Sequence, residues 1–246
     1  MEFQKSNFSY SPEKYQDISV PKTFVSNVFS WMFLALGITA FVAYYFAANK
    51  GLMSVLYYAN PETEKGGMTG LGWLVTLAPL GFVLLMSFGI NKLSAIVMTL
   101  FFVVFSVLMG MSLSFIFLIY TSSSIATTFI VTSAMFGVMA VAGYTTKTDL
   151  TKFGSIMMMG LVGIIIASII NMFMRSSGFD YIISFIGVLI FTGLTAYDVQ
   201  KLKNIGGQIE AGTENARKLS ILGALTLYLD FINLFLFLLR FLGRRD

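Results

Sequence analysis

The chain has 246 residues, of which 57% are hydrophobic and only 11% charged, and its mean hydropathy is +0.81. An average soluble domain is about 25% charged, so this surface is not one made for water. With no Cys and no His, disulfides, His/Cys zinc sites, Cys nucleophiles and Ser-His-Asp triads are all excluded. The formal net charge of +4 sits at the ends of apolar runs rather than among clustered polar residues, which argues against a nucleic-acid binder and for a polytopic membrane protein.

Residues 1–23 are polar and mixed in charge, with Lys5, Glu13, Lys14, Asp17, Lys22, Pro12 and Pro21. They lack the apolar core and cleavage site of a signal peptide and read as a solvated cytoplasmic tail. Residues 24–246 form the transmembrane domain. Seven apolar runs follow, at 24–48, 71–88, 93–119, 125–144, 153–174, 181–201 and 219–242. Each approaches or exceeds the roughly 20 helical residues needed to cross about 30 Å of hydrocarbon. Every backbone group in lipid needs an internal partner, and the runs lack the alternation of a barrel strand, so the fold class is an all-α seven-helix membrane bundle.

Between the first two spans, residues 50–70 hold Asn60-Pro61-Glu62 and Gly66-Gly67, a surface-loop pattern. Residues 145–152 and 200–218 are the charged loops. With seven crossings, the side of the N-terminus receives ten Lys and Arg and the other side six, which predicts a cytoplasmic N-terminus. Arg240, Arg244 and Arg245 at the far end work against that orientation. A re-entrant last segment would remove the conflict, but residues 219–242 are long enough to cross.

Only Asp198 and Asp230 fall inside apolar runs. An ionised Asp at the bilayer centre costs about 3 kcal/mol even on the lenient insertion scale. Both count their depth from the same membrane face, because the sixth span enters the 200–218 loop and the seventh leaves it. Adjacent antiparallel helices would bring the two carboxyls into reach. No intramembrane Lys or Arg is at hand to neutralise them, so sharing one proton is the cheapest arrangement. Holding that proton would latch the last two helices; losing it would create repulsion relieved by opening or by admitting a cation. The plainer alternative is two Asp that bond to backbone or water. On the seventh span Gly223, Thr226, Asp230 and Asn233 share a stripe expected to face the bundle interior. Gly187, Phe191, Thr195 and Asp198 form a weaker one on the sixth.

Three segments carry a family resemblance. They are Gly143-Tyr144-Thr145-Thr146-Lys147-Thr148-Asp149-Leu150 leading into Met159-Gly160-Leu161-Val162-Gly163, then Gly193-Leu194-Thr195-Ala196-Tyr197-Asp198-Val199-Gln200-Lys201, and Leu227-Tyr228-Leu229-Asp230-Phe231-Ile232-Asn233-Leu234-Phe235-Leu236. Together they resemble the Bax inhibitor-1 family (the TMBIM or YccA-like proteins) in its bacterial branch, most closely over residues 134–243. The resemblance implies a seven-helix bundle whose last helix is central. It also implies a pH-dependent calcium leak gated by an aspartate pair that maps onto Asp198 and Asp230. From the two stripes, Thr195, Thr226 and Asn233 are expected to support that pair or line the pore. Calcium would be the permeant ion, not a resident cofactor. Two Asp with three neutral oxygens fall short of the roughly 6–8 ligands of a storage site, which suits weak, transient binding. Other family associations are suppression of cell death in eukaryotes and restraint of a membrane AAA protease in bacteria, so a non-conducting protease modulator or stress-survival factor is the alternative function. This chain departs from the family's characterised bacterial channel in having no basic residue on its second span; Lys92 lies beyond the end.

An intramembrane aspartyl protease is the enzymatic alternative. It is disfavoured because that family's Gly-x-Gly-Asp and Pro-Ala-Leu motifs are missing, and the expectation is a non-enzyme whose partners are lipids, protons and Ca²⁺ rather than nucleic acid. A proton-coupled transporter would carry an inverted repeat, and none is evident. Gly160, Gly163, Ala167 and Asn171 read as a close helix–helix contact. Met157, Met158 and Met159 point in different directions and read as packing or lipid contact. Trp31, Trp73, Tyr44 and Tyr45 read as interfacial anchors. Lys147, Asp149, Lys152, Lys201 and Lys203 read as solvated flanks.

Overall fold

The computed structural model describes residues 19–59, 66–210 and 212–244. The tail residues 1–18, Asn60-Pro61-Glu62, Arg245 and the cytoplasmic placement of the N-terminus lie outside what it describes. Seven helices are long and apolar enough to cross a membrane: α1 (Ser19–Ala48), α3 (Gly70–Gly89), α4 (Ala95–Leu113), α5 (Ser122–Thr145), α6 (Thr151–Met174), α7 (Ser177–Gly206) and α8 (Glu214–Leu242). All seven expected spans are found.

The helices end where local chemistry stops them. Thr69, Ser94, Thr121, Ser176 and Thr213 each accept a backbone N–H of the helix they precede, closing orphan donors that lipid could not satisfy. Helix α6 terminates at Arg175, whose φ of 51° is left-handed. Within the spans, hydroxyls of Ser106, Thr132, Ser184, Thr195 and Ser220 donate to carbonyls four residues back, so these polar side chains cost little in an apolar interior.

The differences from the sequence reading lie in the connections. Residues 50–70 are not simply a loop. A short helix α2 (Lys50–Leu56), capped by Asn49, leads into β1 (Tyr57–Ala59), which pairs antiparallel with β2 (Gly66–Met68) in the register Tyr57↔Met68. The third span closes with a 3₁₀ segment, Ser114–Leu118. The charged loops contract to 146–150 and 207–213 because α7 extends through Gly206 and α8 starts at Glu214. The tail boundary at residue 23 also moves, since α1 begins at Ser19.

Two helices form the centre. In their most apolar stretches 67% of α8 and 61% of α7 is buried, against 33% or less in every other span. Helix α8 packs on α7, α1, α5 and α4, whereas α6 lies against α7 alone in any extended contact. Glycines set the closest crossings: a Cβ at Gly143 of α5 would strike the Ala196 backbone, and one at Gly154 of α6 would strike the Tyr197 ring. The expected small-residue stripe on α6 is half a contact. Gly160 meets Ile190 of α7, but Gly163 looks into open space.

Candidate functional site

Asp198 lies eight residues before the end of α7, about 12 Å of helix at 1.5 Å per residue. Asp230 sits midway along α8. Both are buried, at 9% and 5% exposure, and their carboxyl groups interact directly. Asp230 Oδ2 is buried without a hydrogen-bond partner, the one such side-chain atom among the described residues.

The pair opens onto a cavity of about 800 Å³. Leu80 of α3, Leu161 and Ile165 of α6, Leu194 of α7 and Leu229 of α8 supply apolar wall, and Thr226 and Asn233 join Asp198 and Asp230 in the lining. Three members of the α8 stripe therefore face this cavity, with Thr226 exposed within it, while Gly223 packs inward against Leu202 and Val28. Asn233 Nδ2 donates to the Leu229 carbonyl at 2.8 Å, which leaves its Oδ1 as the group's acceptor. Thr195 does not join them. It is fully buried, donates to the Phe191 carbonyl at 2.8 Å and is absent from the cavity wall.

Lys201 is exposed, as a solvated flank should be, yet it is the cation nearest the pair, which the sequence does not lead one to expect inside the spans. Because α7 continues past residue 201, Lys201 stays on the helix three residues from Asp198, lines the same cavity and attracts the Asp198 carboxylate. It also sits 5.9 Å from the Tyr197 ring centroid. Lys92 is not part of the cavity.

The residues that hold this part of α7 in place were also read as solvated flanks or not singled out. Gln200 accepts from Leu150 N and donates to the Thr148 carbonyl, both at 2.8 Å, clamping the 146–150 connection onto α7. Lys203 donates to the Tyr144 carbonyl near the end of α5 at 2.8 Å, with its Nζ 5.0 Å from the Tyr144 ring centroid. With Tyr197 seated on Gly154, residues 197, 200 and 203 fix α7 to α5 and α6 on either side of Asp198. Their spacing of three was the available signal. In the same connection Asp149 Oδ1 accepts from Thr151 N and Thr151 Oγ1, and these bonds hold its carboxyl below the ordinary range although it is fully exposed.

At the opposite end of α8, Arg240 pairs with Asp180 at 3.3 Å. This partly exposed pair lies outside the carboxyl cavity. Among the described residues no cluster of three acidic side chains could enclose a metal.

The comparisons with known proteins agree with the bundle. Residues 21–246 match the family described as inhibitor of apoptosis-promoting Bax1. The "Inner membrane protein YbhL" of Escherichia coli K12 is 49% identical over 225 residues, covering 91% of this chain and 92% of that protein. An uncharacterized protein of Borreliella burgdorferi is 44% identical over 233 residues, 95% of this chain and 97% of its own length. An uncharacterized membrane protein of Streptococcus pyogenes serotype M1 is 34% identical over 229 residues, with 91% and 93% covered. This family is not one of known enzymes, and the match takes in every span, the carboxyl pair and the α5–α6 connection: the chain belongs to the Bax inhibitor-1 family of multi-pass membrane proteins.

Proposed function

We propose that the protein is a non-enzymatic, pH-sensitive calcium leak of the bacterial inner membrane, gated by the Asp198–Asp230 pair, with its N-terminus in the cytoplasm. The observation that carries this reading is the placement of two interacting carboxyls at membrane depth on the two central helices, facing a cavity, with Asp230 Oδ2 unpartnered. Two carboxylates in contact are not stable side by side in a medium of low dielectric, so they hold one proton between them or a cation. With the proton, α7 and α8 stay latched. Without it, repulsion favours a separated pair or a bound divalent ion. Thr226 and Asn233 add neutral oxygens, and the small ligand number favours rapid release over storage. Lys201, three residues along the same helix, supplies the positive charge nearest the pair in place of a basic residue on the second span.

Liposomes containing the purified protein and a trapped calcium dye test the reading. Calcium flux should increase as the pH is raised and the shared proton leaves. Asp198→Asn and Asp230→Asn should each flatten that dependence. Equal flux at every pH in wild type and in the double Asn variant would overturn it.

A further inference from the structure

The cavity beside the carboxyl pair is larger than a permeant ion requires. Its volume of about 800 Å³ falls in the range of sites that enclose small organic molecules, about 300–1,000 Å³. Its chemistry is also divided. Asp198, Asp230, Lys201 and Thr226 gather toward one end, while the wall from there to Phe237 is apolar apart from Asn233 and Ser168. From Asp230 to Phe237 is seven residues of α8, about 10 Å of helix. The cavity also has a side entrance. Helix α3 leans on α4 and helix α6 on α7, with no extended packing between α3 and α6, so Leu80 and Ile165 border a slot facing the hydrocarbon.

An apolar slot that ends at a pair of carboxyl groups selects its own ligand. We propose that this cavity binds a lipophilic amine, its alkyl chain along Leu161, Ile165, Leu194 and Phe237 and its ammonium group between Asp198 and Asp230. An ammonium has three donors and no acceptor, so from the cavity it can bond the carboxyl pair as a charge-assisted contact shielded from water. Lys201 is the competing cation at the site, already drawn to Asp198, and Lys201→Ala should tighten amine binding. A fatty acid would meet one cation and two acids there and should be rejected. The proposal rests on the pair facing the cavity, as the leak reading does, but not on conduction.

Octylamine, octanol and octanoate are suitable probes, of equal chain length and differing only in head group. Equilibrium dialysis of each labelled probe against the protein in phosphatidylcholine nanodiscs, corrected with empty discs, should give saturable uptake of octylamine alone. The double Asn variant should bind it at least about tenfold more weakly, the loss expected for a charge-assisted contact. Ile165→Trp, which narrows the slot and spares the carboxyls, should weaken it as well. Octanol binding as tightly as octylamine would show a slot filled by any chain and overturn the proposal. So would octanoate preference, or unchanged octylamine affinity in the double Asn variant. Because the readout is binding without a calcium gradient, its failure leaves the leak reading standing, and absent flux leaves the amine site standing.

Discussion

Two residues apart on α8, Tyr228 and Asp230 are both buried polar groups, and they face different surroundings. Tyr228 is fully buried. Thr39 Oγ1 donates its only hydrogen to the Ser106 carbonyl at 2.9 Å, so the Tyr228 hydroxyl is the donor in its 2.8 Å bond to Thr39. Phe102 and Phe105 pack edge-on against the ring, with centroids 6.3 and 5.2 Å away. Helices α1, α4 and α8 are thereby tied by a polar group whose needs are met. Asp230, on the cavity side, keeps a buried oxygen with no partner. A satisfied polar group in lipid fastens helices together; an unsatisfied one is held in reserve for a proton or ligand.

That comparison breaks most visibly on substitution. Tyr228→Ala removes a large ring from a packed interior and should cost about 3–5 kcal/mol, read as unfolding in an SDS titration. Asp230→Asn, by contrast, keeps the shape of the side chain, removes a buried acid and can donate to Asp198, and should change the same midpoint by less than about 1 kcal/mol. Equal losses would erase the distinction between fastening and reserve. The glycines of α6 sharpen it further. Gly154→Ala forces a Cβ into the Tyr197 ring and should cost about 1–3 kcal/mol as overpacking, moving Asp198's neighbour and disturbing the pH profile of flux. Gly163→Ala, which meets nothing, should instead stabilise α6 by up to about 1 kcal/mol. Tyr228→Phe keeps the ring and loses one interhelical hydrogen bond, an effect of about 1 kcal/mol.

The spans were legible because a run of apolar residues has one outcome in lipid, and the capping residues Thr69, Ser94, Ser176 and Thr213 mark starts that hydropathy blurs. The carboxyl pair was legible because an acid in an apolar run is costly and therefore conspicuous. Residues whose meaning depends on a partner far along the chain were hidden. Gln200 looks like a loop residue until Thr148 and Leu150 lie beside it, and the closeness of Lys201 to the cavity shows only once α7 is seen to continue past it. Thr195 stands apart from the cavity for a related reason. Its stripe follows the helix period correctly, but a threonine can bond its own backbone, and the hydroxyl is spent on Phe191 rather than offered to the cavity. The hairpin of β1 and β2 carried too few residues for alternation to show.

Asp149 supplies the smallest effect and a control for the buried pair, being a carboxyl with satisfied bonds in full contact with solvent. Thr151 holds its folded-state pKa below the ordinary carboxylate value of about 3.9. A group depressed in the folded state contributes stability that is present above its unfolded pKa and lost as the pH falls through the folded one. Wild type should therefore exceed Asp149→Asn in thermal stability at neutral pH, with the gap narrowing as the pH falls below about 4 and closing once it has passed through the depressed folded value, where both proteins carry a neutral side chain. A gap that persists unchanged in acid would mean that the Asp149 charge contributes nothing to capping α6. Calcium flux should keep its pH profile in this variant, because Asp149 lies outside the cavity. If flattening the flux profile required only the loss of any carboxyl near α7, Asp149→Asn would flatten it too, and the distinct position of Asp198 and Asp230 would carry no weight.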